Sequence, residues 1–465
     1  MIRSNAPMSR LVFLLVVVSA IGIGLRVAGM HRAYWFDELA TVTNVDVPDL
    51  KTVIHDTAED NQPPLYNSMV FEWIRAFGYS EIAVRSLSLL IGLLGLATPW
   101  LARNALSRSE KLWNLAILSL MPLPIRYAQE ARNYSLLFLL SAVCLYSYYE
   151  ILKTRATGRI HTIFHVGLIC LAFTHVFGLM LSVSFLAVMF WRERRAAWRI
   201  GLVLYAGALS AAVVIPLILG GSGRLAGGNF WITFGPASLA LQLVKVFTPI
   251  GLLLLAWLWA ARWRNPPPSD PALKLALAPF ALMLAGAILV SFNTPIITER
   301  NLIGLVPAFA LLTAWLIEHA ALGRPTWWVG LSAGLLALQA IVWTLSPYLF
   351  IQQDFRAIAR HSIASNSPVC YVVPTRGDAE ELPHHLFSFY ITKIFHRPDL
   401  TPKLIRPSEV PADPAASDCV LWSAATLPKR GESYLRTMPQ FAHCTDVPLA
   451  APGVLLASEL LSCGR

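Results

Sequence analysis

Apolar runs of helical length recur along the first 346 residues, each closed off by a short polar stretch. A helix needs roughly 17 to 25 residues to cross a bilayer. On that measure the pattern predicts about eleven spans, a few of them short. They lie at 10–29, 81–101, 111–125, 133–152, 160–174, 176–191, 200–217, 242–261, 273–292, 301–318 and 326–346. The fifth and sixth run together through LAFTHVFGLM, with Thr174–His175 at the turn. No alternating ten-residue pattern occurs, which argues against a β-barrel. The first run follows Arg3 and Arg10 as a signal peptide would. Its end, GLRVAGMHRA, has no small-x-small cleavage site, so it reads as a retained first helix.

Two polar regions carry patterns of their own. In the loop at 31–80, the pair Pro63–Pro64 suits a helix start. Leu65, Met69, Trp73 and Phe77 then recur every four residues, the mark of a helix lying on the membrane surface. In the tail, PVCYVVP and DCVLWSA read as short buried strands, with helical stretches near 379–394 and 431–439. That alternation predicts a small α/β domain over 347–465, following a membrane domain over 1–346.

Composition fits this layout. Hydrophobic residues make up 56% of the chain and charged residues 14%, with a mean hydropathy of +0.56. A soluble domain carries roughly 25% charged residues, so the chain is expected to be a polytopic α-helical membrane protein. The net charge of +10 does not point to nucleic acid, because its distribution follows topology. One alternating set of polar segments (the N-terminus, RNALSRSEK, KTRATGR, RERRAAWR, ARWRNPPPSDPALK and Arg324) holds 16 Lys and Arg. The short loops of the other set hold four. The positive-inside rule then puts the N-terminus in the cytoplasm and the 31–80 loop and tail outside. Cys370, Cys419, Cys444 and Cys463 lie in that outer tail. An even count there favours disulfides, with three connectivities open. No Cys-x-x-Cys spacing suggests zinc, and Cys144 and Cys170 inside spans read as small apolar residues.

The charges collect at the outer rim rather than at mid-membrane: Arg26, Asp37, Glu38, Arg85, Arg126, Glu130, Arg132, Glu299 and Arg300. Coupled transporters keep ionisable groups near the membrane centre, and no inverted repeat or Gly/Pro-broken helix pair of their kind is evident. Acids and arginines at one depth suit a different chemistry. A carboxylate can act as general base on an acceptor hydroxyl. Arginines can hold a phosphate and stabilise the charge growing on it as it leaves. A polyprenyl-phosphate sugar would reach such a rim by diffusing in the lipid.

The motifs YWFDELATV, NQPPLYNSMVFEWIRAFGYSEIAVRSLSLLIG, PIRYAQEARNYSLLFLLSA, FTHVF and TERNLIGLVPAFALL occur in that order over about the first 345 residues. Together they resemble the bacterial members of glycosyltransferase family 39. These belong to the GT-C superfamily, with dolichyl-phosphate-mannose protein mannosyltransferases and the lipid A aminoarabinose transferase. The resemblance implies an inverting transferase that uses lipid-phosphate sugars at the outer face of the bacterial inner membrane. It makes Asp37 the general base and Glu38 the second acid of the motif. Neighbours on a helix point about 100° apart, so both are not expected to touch the acceptor. It also places Arg132 and Arg300 on the donor phosphate or on the carboxylates, and has Tyr66 and Tyr134 line the cavity. Asn61, Gln62, Arg85 and His175 complete the candidate substrate-binding set. Gln62 is a departure, since aminoarabinose transferases have a lysine there and many relatives a histidine. An amide can donate a hydrogen bond to phosphate but brings no charge. The tail is not the carbohydrate-binding repeat of the eukaryotic enzymes, so a protein acceptor does not follow.

Each candidate also has a plainer explanation. Asp37 alone could be a solvated loop acid, and Glu38 could favour a helix start by its charge. Arg132 beside Glu130, and Arg300 beside Glu299, could be surface ion pairs worth little. Arg85 could snorkel to headgroups, and His175 could be an interfacial histidine. Tyr34, Trp35 and Trp231 fit an aromatic belt. Asp37, Glu38 and Asp60 could share a divalent cation, but a single-phosphate leaving group needs none, so no metal or cofactor is expected. The rival class is a non-catalytic lipid-binding or transport protein. The sugar and the acceptor, whether glycan, lipid or protein, leave no motif. The stretch Gly220–Gly235, with six glycines in 16 residues and Asn229, Phe230 and Trp231, could be a lid or a slack connector. The topology is testable directly. A membrane-impermeant thiol reagent added outside should label cysteines placed at Ser222 or Asn61 and not at Ser107 or Ser269. The opposite labelling would put the acidic loop in the cytoplasm.

Overall fold

Proline placement and side-chain caps decide where the apolar runs become helices and where they stop. The computed structural model describes residues 6–59, 62–192, 205, 234–264, 269–320, 334, 337–338, 340–341, 355–372, 388–425, 435–447 and 458–463. Its helices are α1 (Ala6–Val27), α2 (Phe36–Asn44), α3 (Leu50–Glu59), α4 (Leu65–Phe77), α5 (Glu81–Ala97), α6 (Arg108–Leu120), α7 (Pro122–Tyr127), α8 (Tyr134–Thr154), α9 (Arg159–Ala172), α10 (Val176–Arg192), α11 (Pro236–Phe247), α12 (Pro249–Arg264), α13 (Pro271–Ser291), α14 (Val306–Ala320) and α15 (Phe355–Ser365).

Among the described residues, four helical stretches are long and apolar enough to cross a membrane: 81–101, α8, α13 and 301–319. The bent pair α11–α12 makes a fifth if counted as one. The pair α9 and α10 follows the expected spans, turning at Thr174–His175. Two expected spans are not single helices. The run at 111–125 breaks at Met121 into α6 and α7, because Pro122 and Pro124 have no amide hydrogen to continue the ladder. The run at 242–261 bends by 90° between α11 and α12. The broken pair that the sequence did not reveal is therefore present. The expected spans 200–217 and 326–346 lie outside the described residues except at isolated positions.

The chain forms two compact units. Unit 1 comprises Met1–Met30, Pro48–Glu72 and Arg85–Thr344. Within it α8 packs against α9, α13 and α14, α1 against α6, and α10 against α13. Its core includes Leu137, Phe138, Leu145, Phe164, Phe185 and Leu311. The α1–α6 crossing is close at Gly22, where an added Cβ would meet the Ser119 carbonyl oxygen at 2.2 Å. One turn later, buried Arg26 donates to the carbonyls of Gly22, Ser119 and Leu118 at 2.8, 2.8 and 3.0 Å. It thereby caps the C-terminal end of α6, where a cation is favoured. Arg26 belongs to the scaffold, although it looked like a rim charge. Helix α4 begins directly after Pro64 and buries Tyr66, Asn67, Val70, Phe71 and Ile74. The stripe Leu65, Met69, Trp73 and Phe77 stays partly or fully exposed, the side left for an apolar surface.

Unit 2 comprises His31–Val47, Trp73–Val84 and Leu345–Arg465. Its strands are β1 (Val369–Val372), β2 (Lys403–Ile405), β3 (Leu421–Ala425), β4 (Thr445–Asp446) and β5 (Ser458–Ser462). They form one sheet in the order β2-β1-β3-β5-β4, with β1 parallel to β2 and β3, and β5 antiparallel to β3 and β4. Both strands read from the sequence are present. Of the expected helical stretches, 388–394 is helical and ends in one π-helical turn, 3₁₀ turns occupy Leu435–Thr437 and Pro439–Phe441, and 379–387 and 431–434 lie outside the described residues. Disulfides join Cys370 to Cys419 and Cys444 to Cys463, around a core that includes Trp422, Leu435, Phe441 and Leu461.

Thr248 carries the α11–α12 bend at φ 66° and ψ 151°, a conformation natural to glycine. Its Oγ1 accepts from the Gly251 amide at 3.0 Å and so caps α12. Thr248→Ala should cost about 1 kcal/mol, because the cap is lost and the strain remains. Thr248→Gly loses only a few tenths as a cap and releases about 1 kcal/mol or more of strain. Thermal unfolding in detergent should therefore rank glycine at or above threonine, with alanine below both.

Candidate active site

The segment YWFDELATV turns from extended chain into α2 at Trp35. Glu38 at the third helical position is fully buried, and its Oε2 accepts from the Trp35 amide at 3.3 Å. This satisfies one of the amides that a helix start leaves unpaired. Leu39 and Val42 go into the core on the neighbouring face. Asp37, about 100° round the helix, stays only partly buried. The side-by-side acids thus face different surroundings. The Trp35 indole N–H is buried and has no partner among the described residues.

Residues distant in sequence hold this turn. The Tyr34 hydroxyl donates to the Tyr79 carbonyl at 2.9 Å, and the Tyr34 amide donates to the Tyr390 hydroxyl at 2.7 Å. Tyr390 in turn donates to Glu81 Oε1 at 3.0 Å, and Arg356 pairs with the same oxygen at 3.3 Å. Nearby, Asp46 accepts from Tyr79 at 2.7 Å and from Lys393 at 2.9 Å.

Unit 1 contains a second cluster, built where helices start and turn. Tyr134 opens α8, Arg132 lies two residues before it, His175 is in the α9–α10 turn, and Arg300 precedes the 3₁₀ turn Asn301–Leu305. Arg132 and Arg300 each hold their guanidinium 5.9 Å from the centre of the Tyr134 ring. The His175 ring is 5.7 Å from the same ring. Backbone ties fix the turn, since Asn133 donates to the Thr174 carbonyl and the Leu65 amide to the Phe173 carbonyl, both at 3.1 Å. Around the rim, Arg126 pairs with Glu130 at 2.9 Å and Lys245 with Glu299 at 3.8 Å. Lys245, on α11, was missed in the sequence, although a lone lysine in an apolar run is a signal of this kind. Burial, with Arg132 and then Arg300 beside it, pushes His175 down to about 3. The cluster therefore presents two fixed cations and a neutral imidazole, a setting suited to an anion.

The other candidates sit differently. Tyr66 is buried with its hydroxyl 2.7 Å from Ser88 Oγ. Arg85 is buried and donates to the Met30 carbonyl at 3.0 Å, so it belongs to the packing and does not reach towards headgroups. Gln62 precedes α4, its amide donating to the Thr57 carbonyl at 3.1 Å. Asn61, Asp60 and the Gly220–Gly235 stretch, apart from Phe234 and Gly235, lie outside the described residues. No group of three or more His, Cys, Asp or Glu able to hold a metal occurs among the described residues.

No family of known sequences matches the chain, and no curated protein matches it by sequence. Solved structures do match. ArnT from Cupriavidus metallidurans in the apo state is 12% identical, over 98% of each chain, with a TM-score of 0.56. The same protein bound to undecaprenyl phosphate is 13% identical over 99% of this chain and 98% of that one, with a TM-score of 0.51. The chain has the fold of ArnT. The archaeal oligosaccharyltransferase AglB from Archaeoglobus fulgidus, in complex with an inhibitory peptide and a dolichol-phosphate, also matches. It is 10% identical over 89% of this chain and 69% of its own, with a TM-score of 0.48. At 12% and 13% identity the likeness to ArnT is one of fold.

The depressed His175 makes a pH prediction. The folded protein resists protonating this group, so its stabilising contribution is complete above the ordinary histidine value and declines as pH falls from about 6.5 towards 3. Thermal unfolding of the wild type between pH 6.5 and 5 should show that decline. His175→Gln should be flatter over the same interval, and identical slopes would put His175 in ordinary solvent.

Proposed function

We propose that this chain is an inverting glycosyltransferase that moves a hexosyl or pentosyl unit from a polyprenyl phosphate to an acceptor hydroxyl at the outer membrane face. What carries the reading is the pair Arg132 and Arg300 around Tyr134, in a chain with the fold of ArnT, a protein seen with undecaprenyl phosphate bound. Asp37 takes the proton from the acceptor hydroxyl. The acceptor oxygen attacks the anomeric carbon from the face opposite the phosphate. The bond from that carbon to the phosphate oxygen breaks, and polyprenyl phosphate leaves with the electron pair. Arg132 and Arg300 stabilise the charge that grows on it, since planar guanidiniums match phosphate oxygens in pairs. Glu38 acts through the helix start that presents Asp37. Gln62, Asn61 and neutral His175 contribute hydrogen bonds but no charge, and Tyr66 and Tyr134 line the cavity. The 1–346 segment is the catalytic membrane domain, and 347–465 is an extracytoplasmic α/β domain.

Turnover is read as free polyprenyl phosphate released together with sugar on an acceptor, which a lipid-binding or transport protein would not produce. Asp37→Asn should lower kcat by about 10²- to 10⁴-fold while donor still binds. Arg132→Lys and Arg300→Lys should each cost about 10²-fold, because lysine cannot make the two-pronged contact. Full turnover by Asp37→Asn sinks the base assignment. Normal binding and turnover by Arg132→Gln and Arg300→Gln makes the arginines structural.

A further inference from the structure

We propose that Tyr390, in the C-terminal part of the chain, is a positioning residue for Asp37, acting through the backbone at Tyr34 and Trp35. The proposal rests on Asp37 being the base. The Tyr390 phenol is fully buried and serves two partners: it accepts from the Tyr34 amide at 2.7 Å and donates to Glu81 Oε1 at 3.0 Å. A phenol can do both at once. Burial, then the neighbouring Glu81 carboxylate, push it well above its ordinary range, so it stays a hydroxyl. Arg356 anchors the same Glu81 oxygen at 3.3 Å, and the Tyr34 ring lies 6.1 Å from that of Tyr390, tilted by 50°.

The next amide along the chain, that of Trp35, is the one Glu38 accepts from. Two successive amides immediately before α2 are therefore pinned, one from inside the motif and one from 356 residues away. Asp37 stands two residues beyond the second pin, on the first turn of α2. Its direction is set by where that turn begins. Loss of the Tyr390 hydroxyl would leave the Tyr34 amide and Glu81 each one partner short in a buried place, a costly state that the turn relieves by shifting. A displacement of about 1 Å at a reacting group can cost on the order of 10²-fold in rate.

The test uses Tyr390→Phe in the full-length protein in nanodiscs, with Lys393→Ala as the comparison. Lys393 lies on the same helical turn and makes a partly exposed ion pair with Asp46 at 2.8 Å. Tyr390→Phe should speed amide exchange in a peptide covering residues 31–39 by about ten-fold, the cost of one such hydrogen bond. It should also lower kcat ten-fold or more, with KM for donor within two-fold of wild type. In the Asp37→Asn background it should slow turnover no further, because the two changes act on one group. Lys393→Ala should leave exchange and kcat as they are. Unchanged exchange in Tyr390→Phe overturns the pin whatever Asp37 does. Faster exchange with normal kcat overturns its role in positioning, and equal losses in both variants show general loosening of the tail. Full activity in Asp37→Asn alone overturns the base assignment, leaving the pin to be judged by exchange.

Discussion

A chain this apolar must satisfy its backbone polar groups from within wherever a helix ends, since lipid offers no replacement for water. The breaks in unit 1 show how. Arg26 takes up the last carbonyls of α6, and Gln129 donates to the Leu25 carbonyl at 2.7 Å. Asn133 and the Leu65 amide serve the carbonyls of the α9–α10 turn, and Thr248 caps α12 at its bend. Each of these polar side chains could be mistaken for part of a site. The residues that gather around Tyr134 differ from these caps in kind, being two guanidiniums and an imidazole about one ring.

The same constraint separates Asp37 from Glu38. A helix that starts abruptly after an extended segment needs acceptors for its first amides. Glu38 meets that need at the third position, where side chains reach back to the cap, and it is buried in doing so. Asp37 at the second position has no such geometry and stays partly open. The pair of acids in the sequence is thus one structural carboxylate and, on the proposed reading, one chemical one.

Much of this was legible in advance, and the exceptions have physical causes. The spans at 81–101, α8, α13 and 301–319 follow from run length, which is local. Arg132, Arg300, Tyr134 and His175 meet in space as their motifs suggested. Tyr66 and Arg85 have the same residue types, but their partners Ser88 and Met30 could not be read from composition. The bend at Thr248 had a warning in Pro249, which has no amide hydrogen to continue the ladder, while positive φ at a threonine leaves no sequence mark. The pairing of four cysteines allowed three answers until the sheet brought Cys370 to Cys419. Tyr390 was invisible because its role depends on a contact 356 residues away.

Charge also sets what the Tyr134 cluster is suited to. Arg132 and Arg300 repel each other and are moderated by the Tyr134 face, which attracts cations through its ring electrons. A third positive charge beside them would be costly, and His175 accordingly gives up its proton. A group so far from titrating at neutral pH is a poor proton carrier, so this cluster is suited to balancing charge and not to moving protons. A leaving phosphate needs only that. Proton removal from an acceptor is a different task, one for a carboxylate acting as general base. On the proposed reading that carboxylate is Asp37, on the first turn of α2, where Glu38 caps the helix start.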